Sequence, residues 1–108
     1  MFNKTARISL MALFFILATL YSWAAEAPLL RVTFLDVHQG DCAIIRSADK
    51  TIMIDAGDDN RNAAKRYIIP YLKKEGIKHI DLAIITHPHR DHFGGFIELL
   101  STVTFGEF

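Results

Sequence analysis

A chain of 108 residues is enough for one domain and no more. Its 12 basic and 12 acidic side chains cancel, which excludes a protein drawn to nucleic acid by bulk charge while still allowing a local basic patch. A single cysteine, Cys42, excludes an internal disulfide.

The first residues do not read as part of that domain. Lys4 and Arg7 give a positive start, residues 8–20 form an uncharged apolar run, and Ser22-Trp23-Ala24-Ala25 supplies small residues. This is the layout of a secretory signal peptide over residues 1–24, cut after Ala24, with 25–29 as a short lead-in to a domain over 30–108. The expected location is therefore outside the cytoplasm, periplasmic or secreted. The apolar core is shorter than the roughly 20 residues that span a bilayer, but the uncharged stretch 8–25 keeps an uncleaved membrane anchor open as the alternative. No cysteine stands near the cleavage region, which argues against a lipoprotein. Cleavage would leave 10 basic and 12 acidic residues, still close to balance.

Residues 29–37 are rich in β-formers and predict a strand, ended by the turn residues Gln39-Gly40-Asp41. Two further short apolar runs, 42–46 and 51–54, flank a second turn at Ala48-Asp49-Lys50, so the three strands predict an antiparallel meander. Cys42, beside Ala43, Ile44 and Ile45, reads as a small buried residue rather than a reactive thiol. From residue 60 to 75 the period changes: Ala64, Tyr67, Ile68, Tyr71 and Leu72 fall at helical spacing. Asp58, Asp59 or Asn60 can cap this helix, Gly76 follows it, and Pro70 should kink or divide it. Its basic residues Arg61, Lys65, Arg66, Lys73 and Lys74 read most simply as a solvated face, with a nucleic-acid contact as the less favoured alternative. The continuous apolar run 81–86 suits a strand buried on both faces. Gly94-Gly95 should lead into a short helix over 96–100, and residues 102–105 into another strand.

Between the last strand and the glycines lies the segment that carries chemistry, His87-Pro88-His89-Arg90-Asp91-His92. In an extended segment residues two apart point the same way, so His87 and His89 can share one metal, and Pro88 biases His87 away from helical geometry. A turn through Arg90 can aim Asp91 and His92 at a second metal nearby. Imidazole and carboxylate ligands suit Zn²⁺, with Mn²⁺ and Fe²⁺ as alternatives. Four potential ligands at the carboxyl end of a strand, followed by two glycines, point to a metal site rather than to a chance histidine-rich loop.

The pattern His87-x-His89-x-Asp91-His92 is similar to the signature of the metallo-β-lactamase fold. The stretches Phe34-Leu35-Asp36-Val37-His38-Gln39-Gly40-Asp41, Ile54-Asp55-Ala56-Gly57 and Thr86 through Gly95 resemble the hydrolase-like domain of ComEC-type competence proteins, which carry DNA into bacteria. The resemblance covers about residues 30 to 100. It departs at His38, where the family usually has glycine, and at Cys42, where it has serine or alanine; neither touches the ligands.

The resemblance implies an α/β fold, the αββα sandwich of that family, of which this chain would hold the first half: strand meander, helix, buried strand, ligand loop, helix. It implies that His87 and His89 hold one Zn²⁺, that Asp91 and His92 hold the other, and that Asp91 also orients or deprotonates the attacking water. Asp55 would hydrogen-bond to the histidine loop and brace it, although from the residues alone it reads equally as a strand-end turn carboxylate. His38 and Asp36 could line the cleft, with a plain surface histidine the simpler reading of His38. Zinc lowers the pKa of its water toward about 7, and a pair about 3.5–4 Å apart can stabilise attacking and leaving oxygens. The expected substrate is a small molecule or nucleic acid with an ester-type bond, phosphodiester above all. In the family, later residues complete the site: a further histidine, a bridging aspartate and a final histidine. The alternative function is therefore a non-catalytic half-domain that binds metal weakly or needs a partner supplying the other half.

Overall fold

The computed structural model describes residues 3–22 and 30–108. The expected cleavage point after Ala24 lies outside them. The apolar leader forms helix α1, Lys4–Ser22, whose described apolar side chains, Phe14 and Phe15 among them, face solvent. Among the described residues no helix is long and apolar enough to cross a membrane.

The domain is a five-stranded sheet in chain order, β1 Leu30–Phe34, β2 Ala43–Ser47, β3 Thr51–Ile54, β4 His79–Ile84 and β5 Thr104–Glu107. The first three strands pair antiparallel, which is the expected meander; β4 joins β3, and β5 joins β4, in parallel. The first strand stops at Phe34, short of the expected residue 37. Beyond it the backbone makes one more sheet-like bond, from Leu35 N–H to the Cys42 carbonyl, and then turns away toward His38.

The crossover from β3 to β4 carries the helical layer. A 3₁₀ turn, Asp59–Arg61, is capped by Asp58, whose side chain accepts from the Asn60 N–H. A π-helical turn, Ala64–Ile68, then runs into α2, Ile69–Lys74. Pro70 explains the change of winding: it has no N–H to give, and the neighbouring Ile69 N–H reaches back five residues to the Ala64 carbonyl. The single helical stretch read from periodicity is thus divided just before the proline. Gly76, at φ +67°, ends α2.

Register explains which side is buried. Thr33, Ile44, Met53 and Ala83 are paired across four strands, and the last three are fully buried beneath Ala64, Ile68, Leu72, Phe96 and Leu99. The neighbouring rows, Val32–Ile45–Ile52–Leu82 and Phe34–Ala43–Ile54–Ile84, point to the opposite face. Among the described residues nothing layers over that face: Phe34 is 82% exposed and Ile84 38%. The expectation that the run before the histidines is buried on both sides is therefore corrected, because one helical layer covers one face.

The second correction concerns the glycine pair. It lies inside α3, Arg90–Leu99, which starts within the histidine segment and not after it. Gly95 serves close packing: a Cβ there would sit 1.9 Å from the Ala56 carbonyl oxygen, so only glycine lets α3 lie against the end of β3.

Candidate functional site

The site forms where β3 and β4 end side by side. Asp55 follows the last residue of β3, takes a left-handed φ of +57°, and is 2% exposed. Its backbone N–H bonds to the Ile84 carbonyl, which fixes the end of β3 to the end of β4. Its carboxylate is satisfied three times over. Oδ1 accepts from the Thr86 N–H at 2.8 Å, and Oδ2 accepts from the Thr86 hydroxyl at 2.6 Å and from His92 Nδ1 at 2.8 Å. Burial alone would raise the Asp55 pKa, but the hydrogen bonds from Thr86 and His92 win and hold it below the usual carboxylate value.

That arrangement determines two histidine tautomers. An ionised carboxylate only accepts, so His92 carries a proton on Nδ1, and in the neutral ring Nε2 is the bare nitrogen. The Thr86 hydroxyl has one proton and gives it to Asp55, so toward His87 Nδ1, 3.1 Å away, it can only accept. His87 is then also protonated on Nδ1 with a bare Nε2. One buried aspartate thus orients both rings, His92 directly and His87 through Thr86. The hydrogen bond and charge of Asp55 raise the His92 pKa, against an opposing contribution from burial.

The structure brings together the residues singled out from the sequence. The His87 ring lies 3.8 Å from the His92 ring and 4.7 Å from the His89 ring, centroid to centroid. His89 is the extended cap residue of α3, and Asp91 sits in the first turn with Oδ1 3.8 Å from His92 Nε2. Arg90 points the other way and pairs with Asp59 through both carboxylate oxygens, Nη2 at 2.9 Å, tying the 3₁₀ turn to the histidine segment.

Two contributors were missed by the sequence reading. Thr86 was read only as a strand end, and its hydroxyl is visible as a relay only once Asp55 is known to face it. Asp41 was read as turn chemistry, yet its carboxylate lies 3.7 Å from His92 Nδ1. Gly40 makes this approach feasible: at φ +88°, its α-carbon packs so closely on Asp91 that a Cβ would fall 1.6 Å from the Asp91 carbonyl oxygen. His38 and Asp36 are not brought to the histidines. The His38 ring packs on Tyr67, centroids 5.3 Å apart, and Asp36 accepts from the His38 N–H. Cys42 is buried, and burial together with the Asp55 charge pushes its thiol up to about 12, as befits an inert core residue.

The donor set fits a divalent cation. Asp41, Asp55 and His92 offer ligand atoms all within 4.8 Å of one another. Asp55 is already spent on Thr86 and His92, so its part in this trio is bracing. The rings of His87, His89 and His92, with the Asp91 carboxylate near His92 Nε2 and the Asp41 carboxylate near His92 Nδ1, are imidazole and carboxylate donors of the kind that zinc and related metals take.

The sequence matches the model of the metallo-beta-lactamase superfamily over residues 35–108. It is similar to Competence protein ComA of Neisseria gonorrhoeae, 34% identical over 65 residues, which is 60% of this chain and 9% of that protein. It is also similar to Ribonuclease Z of Clostridioides difficile (strain 630), 44% identical over 54 residues, 50% of this chain and 16% of the relative. The matched part is thus a small fraction of either curated relative. The family match takes in both strand ends, the braced aspartate and the whole histidine segment, and this chain belongs to the metallo-beta-lactamase superfamily.

Proposed function

We propose that the chain contributes the first metal-ligand motif of an exported, metal-dependent hydrolase acting on a phosphodiester or similar ester bond. The observation that carries this reading is the relay Asp55–Thr86–His87 and Asp55–His92, which engages both rings through Nδ1 and leaves Nε2 of each as the nitrogen free for a ligand bond. A buried carboxylate bonded to one histidine directly and linked to a second through a hydroxyl is hard to explain as packing. His87 and His89 are assigned to one metal, Asp91 and His92 to a second, with zinc the preferred ion. Bound divalent metal would supply an activated water near neutral pH and a Lewis acid for the developing oxyanion. Asp91, in the first turn of α3, is assigned to accept that water's proton and orient it. Asp55 keeps the rings in ligand form, and Arg90 anchors the segment to the crossover. One relative is a ribonuclease by name, which supports phosphodiester over amide chemistry. Export is assigned from residues 1–24, with anchoring by the uncleaved leader as its alternative.

The remaining ligands are assigned to sequence beyond this motif, so the chain alone should hold zinc weakly. Titration with Zn²⁺ followed by histidine-ring NMR is the direct test. The rings of His87, His89 and His92 should shift together with a dissociation constant above the micromolar range, and Asp91→Ala should weaken the effect. Rings that stay unmoved at millimolar zinc would remove the metal reading. A second reading, a half-domain completed by a partner, is favoured by the uncovered apolar rows around Phe34 and Ile84. Tight zinc binding by the isolated chain would count against both.

A further inference from the structure

A separate cleft of about 380 Å³ is lined by His38, Asn60, Arg61, Asn62, Arg66 and Tyr67. Its lining has no carboxylate. Of the five arginines beyond residue 30, Arg31 and Arg46 pair with Glu75, and Arg90 pairs with Asp59. Among the described residues Arg61 and Arg66 have no acidic partner, and both line this cleft. Lys65, between them in the helical layer, is paired with Glu98. The two carboxylates that precede Asn60 in sequence do not neutralise the cleft. Asp58 is buried and accepts from the Asn60 N–H, while Asp59 is held by Arg90.

The backbone is shaped to present these groups. His38 and Asn62 both hold left-handed φ, +66° and +56°, a conformation that glycine adopts freely and other residues only at a cost. At His38 the cost places an imidazole against Tyr67, and the Arg66 guanidinium lies over the same ring, 5.4 Å from its centroid. Two planar guanidiniums, two carboxamides and an imidazole thus converge on one space. A carboxylate is saturated by one guanidinium fork, whereas a phosphate has enough oxygens for donors arriving from several sides.

The cleft is covalently coupled to the metal-ligand motif by both of its loops. Three residues after His38 comes Asp41, whose carboxylate approaches His92, so the α-carbons of His38 and Asp41 are at most roughly 11 Å apart. One residue before Asn60 comes Asp59, clamped by Arg90. We infer that this cleft is a phosphate subsite, holding a flanking phosphate of a phosphodiester strand whose scissile bond lies at the histidines. Binding of the strand stands on the cleft itself; its register on the scissile bond rests on the hydrolase reading above.

The test is fluorescence anisotropy of a labelled eight-residue oligothymidylate with the chain in EDTA at low salt. Charge-assisted hydrogen bonds carry the contact, so Arg61→Gln with Arg66→Gln should weaken binding about tenfold or more. Lys65→Gln with Lys73→Gln removes the same formal charge from the same layer and should change it less than twofold. No binding by the unaltered chain overturns the inference, as does equal weakening by the lysine pair, which would mean diffuse attraction. Displacement of the label by inorganic phosphate as readily, per phosphate, as by unlabelled strand overturns the assignment to a strand. Because EDTA removes metal, the result is independent of the zinc titration: binding through the arginines with unmoved histidine rings sinks the hydrolase reading alone, and the reverse sinks this inference alone.

Discussion

Replacing Asp55 by asparagine changes one atom at the centre of the site and should reset both histidines. In Asp55→Asn the side-chain carbonyl oxygen can keep the bond that Oδ1 accepts from the Thr86 N–H. The new NH₂ then replaces Oδ2 and faces two former donors, the Thr86 hydroxyl and His92 Nδ1. His92 must move its proton to Nε2 so that Nδ1 can accept. The Thr86 hydroxyl must turn to accept from the new amide, sending its own proton toward His87 Nδ1, 3.1 Å away, so His87 also becomes protonated on Nε2. Hydrogen bonds to a charged group contribute about 1.5–3 kcal/mol each and neutral ones about half that, so the two altered bonds should cost roughly 1.5–3 kcal/mol of stability. Zinc affinity should fall by about 10- to 100-fold, the usual effect of losing a residue that orients a ligand. Long-range ¹H–¹⁵N NMR reads the tautomers directly, and urea unfolding reads the stability. If His92 in Asp55→Asn keeps its proton on Nδ1 and zinc binds as before, the relay is not what prepares the ligands.

Other outcomes follow from the same geometry. Gly95→Ala gains up to about 1 kcal/mol of helix propensity but forces a Cβ onto the Ala56 carbonyl oxygen, so a net loss of about 1–3 kcal/mol of stability in urea unfolding is expected; a gain would show that α3 can lift away freely. Asp55 and Asp59 have lowered carboxyl pKa values, so their contribution is present above the unfolded value near ~4 and is lost as pH falls through the folded values. His92 has the opposite sign: its raised pKa contributes below the ordinary histidine value and fades as pH rises through the folded one. Unfolding midpoints should therefore be highest between those limits, and a midpoint unchanged from about pH 3 to 9 would contradict both shifts. Phe34→Ser, on the uncovered sheet face, should raise the soluble fraction and lower dye binding by exposed apolar surface without moving the zinc-sensitive rings.

Much of the fold was legible because hydrophobic period and turn chemistry report it locally. The three-strand meander, the break before Pro70, the stop at Gly76 and the burial of Cys42 all follow from residues close together in sequence. What failed was what depends on a partner elsewhere. The run before the histidines reads as buried on both sides because Leu82, Ile84 and Ile85 are apolar, but burial needs a second layer and the described residues provide one. Gly94-Gly95 reads as a lead-in to a helix over 96–100, yet the pair is inside α3, where the close approach of Ala56 leaves no room for a side chain on Gly95.

The same distinction separates the parts of the site. His87, His89, Asp91 and His92 stand within six residues, so their convergence is written in spacing. Asp55 and Thr86 are 31 residues apart, and Asp41 and His92 are 51 apart; only the parallel pairing of β3 with β4 and the tight passage at Gly40 bring them together. From sequence alone, bracing and a plain turn carboxylate were equal readings of Asp55. Its burial, with three donors and a left-handed backbone, separates them, since a turn carboxylate would keep its oxygens in water. Arg61 and Arg66 show the converse. Helical spacing assigns them to a solvated face along with Lys65, Lys73 and Lys74, and they are indeed exposed. What sets them apart is the missing counter-charge and the His38 ring across from them, and neither could be read before the β1–β2 loop was seen to fold over the crossover.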